Sequence, residues 1–148
     1  PAMLENNVCF AGRNGTLVFI DMLLKEIVWN KVIDPGKTVQ VNTDIECGEH
    51  GLFVFSDENV LYAFSPLNGE ALFAPVENVS SPPLYYNGFI YFGTREGKLI
   101  VMEAGTGIIK KTLSIESIIT AKPVHIDGRI YVATENGQLV ITDPSAVE

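Results

Sequence analysis

Pro83-Leu84-Tyr85-Tyr86-Asn87-Gly88-Phe89-Ile90-Tyr91-Phe92-Gly93-Thr94-Arg95-Glu96-Gly97-Lys98-Leu99-Ile100-Val101 reads as three short apolar runs separated by two turn dipeptides. Asn-Gly and Glu-Gly between runs of β-branched and aromatic residues are hairpin signals, because glycine takes the positive φ that a two-residue turn requires. Proline at the head of the first run suits a strand's first residue. The stretch predicts strand, turn, strand, turn, strand.

The same arrangement returns along the whole chain. Anchored on the later residue of the second turn, the copies are Asn14-Gly15, Glu58-Asn59, Glu96-Gly97 and Asn136-Gly137, at steps of 44, 38 and 40 residues. Apolar runs flank each anchor, as in Val8-Cys9-Phe10 and Leu17-Val18-Phe19, or Ile130-Tyr131-Val132 and Leu139-Val140-Ile141. The upstream turn recurs at Glu5-Asn6, Glu49-His50, Asn87-Gly88 and Asp127-Gly128, whose later residue is a type that tolerates positive φ. Before it runs another short strand, headed by Pro1, Pro83 and Pro123 in three copies. After the third strand come the turns 21–25, 65–69 and 103–107, then a fourth apolar run such as Ile27-Val28-Trp29 or Ala71-Leu72-Phe73. Each repeat is expected to be a four-stranded antiparallel meander.

The strands are apolar on both faces: Val8 and Phe10 point one way, while Cys9, and Phe53 in its equivalent slot, point the other. Such strands are covered on both sides. Two-sided burial of small antiparallel sheets at a period near forty is what radially stacked blades require, so the fold class is all-β and the architecture a β-propeller. The repeats fall at about 1–43, 44–81, 82–121 and 122–148, giving three full blades and three strands of a fourth. Propellers usually hold about four to eight blades, so the expectation is one segment of a larger ring whose remainder the same polypeptide supplies.

The residues also resemble the PQQ-like, or quinoprotein-type, propeller repeat, S-P-x-x-x-x-G-x-V-Y-x-G-x-x-x-G-x-L-x-A-x-D-x-x-T-G-x-x-x-W. The third copy carries Ser81, Pro83, Gly88, Ile90-Tyr91, Gly93, Gly97, Leu99 and Thr106-Gly107 on pattern, with Glu103 at the Asp position and Lys111 at the Trp position. The first copy keeps Asp21 and Trp29, and the second keeps Ala63 and Asn68-Gly69 but has Ser65 and Phe73 in those places. In the resembled family, dehydrogenases hold pyrroloquinoline quinone on the propeller axis with calcium and often a ring of adjacent cysteines. Other members carry no cofactor and present loops to partners, as in lipoproteins that assist outer-membrane assembly. This chain has no Cys-Cys pair and no cluster of Glu, Asn and Asp outside the repeated turns. The resemblance therefore implies a non-catalytic member without cofactor, in the periplasm or outside the cell.

Composition agrees with a packed core, at 47% hydrophobic and 19% charged over 148 residues. Ten basic against eighteen acidic residues leave a charge of −8, which lacks the electrostatic footprint of a nucleic-acid binder. No run reaches the roughly 18 apolar residues of a membrane span and no cationic leader is visible, so no direct membrane insertion is expected.

Residues that invite chemistry have structural readings. Cys9 shares its slot with Phe53, Tyr91 and Tyr131, and Cys47 with Met3, Tyr85 and His125, so both read as free, buried apolar residues rather than a disulfide or a zinc site. His50 occupies the positive-φ turn position and His125 a strand slot. Asp21, Glu103 and Asp143 stand in register, as turn-capping acceptors do. The segment from Glu103 to Gly107 is a tight turn, with no helix behind it to hold a phosphate.

Recognition then falls to loops. Successive hairpins alternate ends, so Arg13, Asp57, Glu58, Arg95, Glu96 and Glu135 are expected to form a partial charged ring on the face that carries the blade connections, beside Asp34 to Lys37 and Glu116. A protein or peptide contact is expected there. The alternatives are pairing of an extended peptide with the open edge of the last blade, part of a quinone-dependent dehydrogenase whose cofactor site lies in other blades, and a structural spacer. An exposed apolar patch on one end face would favour a partner; uniformly polar loops would favour the spacer.

Overall fold

The structure, a computed structural model, describes residues 1–144; the last four residues of the fourth repeat lie outside the described residues. The turn positions organise it. Gly15, Asn59, Gly97 and Gly137 all have φ between 64° and 82°, so each anchor residue takes the left-handed conformation its hairpin needs. Around these turns lie four antiparallel sheets of four, three, four and three strands.

Blade 1 holds β1 (Ala2–Leu4), β2 (Asn7–Ala11), β3 (Thr16–Asp21) and β4 (Glu26–Val32). Blade 2 holds β5 (Glu46–Gly48), β6 (Gly51–Phe55) and β7 (Leu61–Phe64). Blade 3 holds β8 (Leu84–Tyr86), β9 (Phe89–Gly93), β10 (Lys98–Glu103) and β11 (Ile109–Ser114). Blade 4 holds β12 (Val124–Ile126), β13 (Arg129–Ala133) and β14 (Leu139–Thr142). Every neighbouring pair is antiparallel and sequential, as in the register Leu84 to Tyr91 to Val101 across blade 3.

The first strands touch one another from blade to blade, β1 with β5, β5 with β8 and β8 with β12, which places them innermost around the axis. The fourth strands β4 and β11 are largely exposed on the outer rim. Three apolar layers fill the spaces between blades. Leu17 and Phe19 meet Leu52, Val54 and Phe64 in the first, Phe53 and Ala63 meet Ile90 and Phe92 in the second, and Tyr91, Leu99 and Val101 meet Ile130 and Val132 in the third. β6, β7, β9 and β10 are thus buried on both sides.

Three expectations change. The outer run of blade 2 is not a strand: it meets β7 only at the bridges Phe64 to Ala71 and Leu61 to Val76. Between those bridges two more residues lie on the outer segment than on β7, and Pro75 has no N–H to give the ladder. In the upstream turns, Glu5 rather than Asn6 has positive φ in blade 1, and neither Glu49 nor His50 has it in blade 2. His50 is instead committed through its ring, as described below. Among the described residues no sheet packs on the outer faces of blades 1 and 4, where Phe10 and Ile141 are exposed. Finally, Cys9 is buried but Cys47 only half-buried, since β5 lies at the axis where fewer side chains converge.

Candidate functional site

The blade connections and the anchor turns share one end, as the hairpin alternation requires. Backbone hydrogen bonds tie them together: Asp57 N–H donates to Gln40 O at 3.0 Å, Arg95 N–H to Asn78 O at 2.9 Å and Glu135 N–H to Ile118 O at 2.8 Å. Arg13, Asp57, Glu58, Arg95, Glu96 and Glu135 all sit exposed on these turns. Half of them are engaged locally. Lys37 lies 3.0 Å from Glu58, Asn42 donates to Asp57, and Lys98 lies 2.7 Å from Glu96, which holds the Glu96 carboxyl below the ordinary carboxylate range. Arg13, Arg95 and Glu135 make no ion pair among the described residues. Arg95 and Glu135 border a depression of about 220 Å³ whose other walls are Asn59, Ser80, Ile118 and Thr120. Glu116 N–H bonds to Gly97 O at 3.2 Å, which ties the next blade connection to the anchor turn of blade 3.

Around the axis, the inner strands form a polar layer that only tertiary structure assembles. The Glu46 carboxylate on β5 accepts from Tyr85 N–H of β8 at 3.1 Å and from Lys122, just before β12, so one side chain links three blades. Tyr85 hydroxyl meets His50 Nδ1 at 2.6 Å. Burial first, and Glu49 second, push that hydroxyl above its ordinary pKa. Cys47 Sγ donates to Met3 O at 3.0 Å, and His125 stacks on Tyr86 with ring centroids 3.8 Å apart. Among the described residues no group of three His, Cys, Asp or Glu side chains is placed to hold a metal ion.

The opposite end carries the feature that repeat alignment missed. Asp21 caps the β3–β4 turn by accepting from Leu23 N–H at 2.9 Å and Leu24 N–H at 3.0 Å, and Lys25 closes it at φ 58°. The turn is thereby fixed with Met22, Leu23 and Leu24 projecting outward, 53%, 72% and 68% exposed. On the equivalent turn of blade 2, Leu67 is 86% exposed and forms the lip of a cleft of about 260 Å³, walled by Leu4, Phe19 and Pro66 with Glu5 and Glu49 beside it. The signal was present in the sequence, since three consecutive apolar residues stand in a turn where blade 3 has Ala104-Gly105-Thr106.

No family model matches the sequence, and no curated protein matches it. Solved structures do. Over 95% of its length the chain superposes on BamB from Moraxella catarrhalis with a TM-score of 0.76 at 16% identity, covering 44% of that chain. Over 99% of its length it superposes on the computationally designed Ika8 protein with a TM-score of 0.76 at 14% identity, covering 46% of that chain. Over its whole length it superposes on the quinohemoprotein alcohol dehydrogenase from Comamonas testosteroni with a TM-score of 0.71 at 12% identity, covering 33% of that chain. The chain therefore spans less than half of each of these three proteins. These likenesses establish the quinoprotein-type propeller fold that the repeat predicts, and that fold is shared with a dehydrogenase as well as with BamB.

Proposed function

We propose that this quinoprotein-type propeller is a non-catalytic scaffold that binds a protein partner through its loop faces. The observation that carries the reading is the Asp21-capped turn, which holds Met22, Leu23 and Leu24 in solvent on a rigid blade. A spacer has no use for apolar side chains displayed in this way, whereas a partner gains their burial. The cleft beside Leu67, with Glu5 and Glu49 at its lip, suits a segment bearing an apolar anchor and a cationic neighbour. The charged ring at the other end, with Arg95 and Glu135 unengaged, is a second contact in this reading.

The quinone-enzyme alternative rests on the fold likeness and puts the cofactor site in other blades, since the axial residues of these four do not fit the cofactor. Of the inner strands, only Glu46 brings a carboxylate, and it is already satisfied by Lys122 and Tyr85 N–H. The adjacent cysteines are missing too, because Cys9 and Cys47 lie on different blades as free thiols. An extracytoplasmic location, periplasmic or extracellular, remains part of the proposal by resemblance.

A photo-crosslinking side chain placed at Leu24, in cells that make the protein, tests the contact. The expected result is a discrete protein adduct that Leu23→Asp abolishes while Arg95→Glu with Glu96→Lys weakens it. No adduct at Leu24, or one indifferent to Leu23→Asp, would sink the reading.

A further inference from the structure

Blade 2 has a sheet packed on each of its faces, yet its outer edge is incomplete. In blades 1 and 3 a continuous fourth strand covers the third, with Phe19 in register with Trp29 and Val101 with Lys111. The corresponding residue of blade 2 is Ala63, and there the outer segment bulges away. Along this edge Leu61 and Val76 exchange both of their hydrogen bonds at 2.9 Å, Ala63 O accepts from Leu72 N–H at 3.0 Å, and Ser65 N–H donates to Glu70 O at 2.8 Å. Ala63 N–H faces the same edge as its carbonyl. It meets no acceptor among the described residues, although Ala63 is only 2% exposed. A buried donor in this state is uncommon and costly.

The bulge leaves a cavity of about 250 Å³, lined by Tyr62, Ala63 and Phe64 of β7, by Pro35 of the connection from blade 1, and by Phe73 and Pro75 of the outer segment. Asp34 also lines it; its Oδ1 accepts from Gly36 N–H at 2.9 Å, and it makes no ion pair among the described residues. The nearby cations are committed elsewhere, since Lys31, 4.5 Å above the Phe64 ring, donates to Gly69 O and Lys37 pairs with Glu58.

We propose that this cavity binds an extended segment of a protein partner in which proline stands beside lysine or arginine. The hydrogen-bonding pattern selects the proline. The edge offers a donor, Ala63 N–H, while the Ala63 carbonyl is already taken by Leu72 N–H. An ordinary residue joining the edge as a strand would bring a carbonyl and an N–H together, and its N–H would find that carbonyl occupied. Proline brings the carbonyl without the N–H. The walls agree, because aromatic rings and prolines make the kind of groove on which polyproline segments pack. Charge selects the neighbour: Asp34 is uncompensated in a chain of net charge −8, so a cation beside the proline is attracted and an anion repelled. The site uses neither Leu67 nor Arg95 and Glu135, so it stands or falls independently of the contacts proposed above.

The probe is a blocked proline-arginine-proline peptide, titrated into the protein carrying a nitrogen isotope label at alanine. The Ala63 amide resonance, identified by its loss in Ala63→Gly, should move downfield as the peptide carbonyl binds. Peptides with alanine for proline, or glutamate for arginine, should leave it in place. Asp34→Asn retains the oxygen that caps Gly36 N–H and should weaken binding about two- to fivefold. Ala71 is exposed at the cavity, so Ala71→Trp should fill it and abolish binding with far-UV circular dichroism and urea midpoint unchanged. An Ala63 resonance that no concentration of the peptide moves gives the donor to solvent water and overturns the proposal. So does an alanine peptide that binds as well as the proline peptide, or a shift that survives Ala71→Trp.

Discussion

Gly69→Ala tests how one blade is fastened to the next. Gly69 has φ 73°, where alanine carries left-handed strain of about 1–2 kcal/mol. A Cβ there would also come within 2.8 Å of Cε3 and 2.9 Å of Cδ2 of Trp29, on the preceding blade. That indole cannot step back: it stacks on Phe19 with centroids 5.2 Å apart, and its Nε1–H donates to Pro66 O at 2.9 Å. Overpacking a held ring adds about 1–3 kcal/mol, so Gly69→Ala should destabilise the protein by about 2–5 kcal/mol. In a Trp29→Leu background the ring is gone and only the conformational part remains, about 1–2 kcal/mol. A double-mutant cycle in urea, followed by far-UV circular dichroism at constant m-value, should therefore give a coupling of about 1–3 kcal/mol. Equal costs of Gly69→Ala in both backgrounds would refute the argument that Trp29 is seated on Gly69.

Gly93→Ala should destabilise by about 1–3 kcal/mol, because its Cβ would fall 2.5 Å from Ile119 Cβ and 3.0 Å from Ile119 O in the blade 3 to blade 4 connection. Ile119→Ala keeps that Cβ and should give no rescue; rescue by it would show that the clash lies further out on the side chain. Burial first, and Cys47 second, raise the Cys9 thiol from 9.0 to about 12. The folded state thus favours the neutral thiol, and the associated stability is complete below pH 9 and lost as pH rises towards 12. The alkaline fall in urea midpoint should become shallower in Cys9→Ala, with Tyr91, also raised to about 12, keeping part of the slope; an unchanged slope would contradict this assignment. In the folded protein, half-buried Cys47 should react with a thiol reagent well before Cys9, which peptide mapping after brief alkylation would show.

The period, the turns and the blade type are local properties, and the sequence alone determined them. Gly15, Asn59, Gly97 and Gly137 must take positive φ wherever the strands beside them pair, so their spacing announces four hairpins before any tertiary contact is known. The inward and outward alternation of Tyr91 or Val132 follows from the strand period of two. The same local logic says nothing of which faces a neighbouring sheet covers. Phe10 and Val54 are indistinguishable as apolar residues in one strand slot, yet Phe10 is exposed and Val54 buried, because burial depends on whether a neighbouring sheet exists. The charged ring was legible because hairpins alternate ends. Its pairing was not, since Lys37 reaches Glu58 and Asn42 reaches Asp57 only after the connection folds back over the next blade. The axial layer was still less so: Glu46 meets Lys122 across 76 residues, and His50 meets Tyr85 across 35. Those contacts are decided by the rotation that carries one blade to the next around the axis, a quantity that no single repeat encodes.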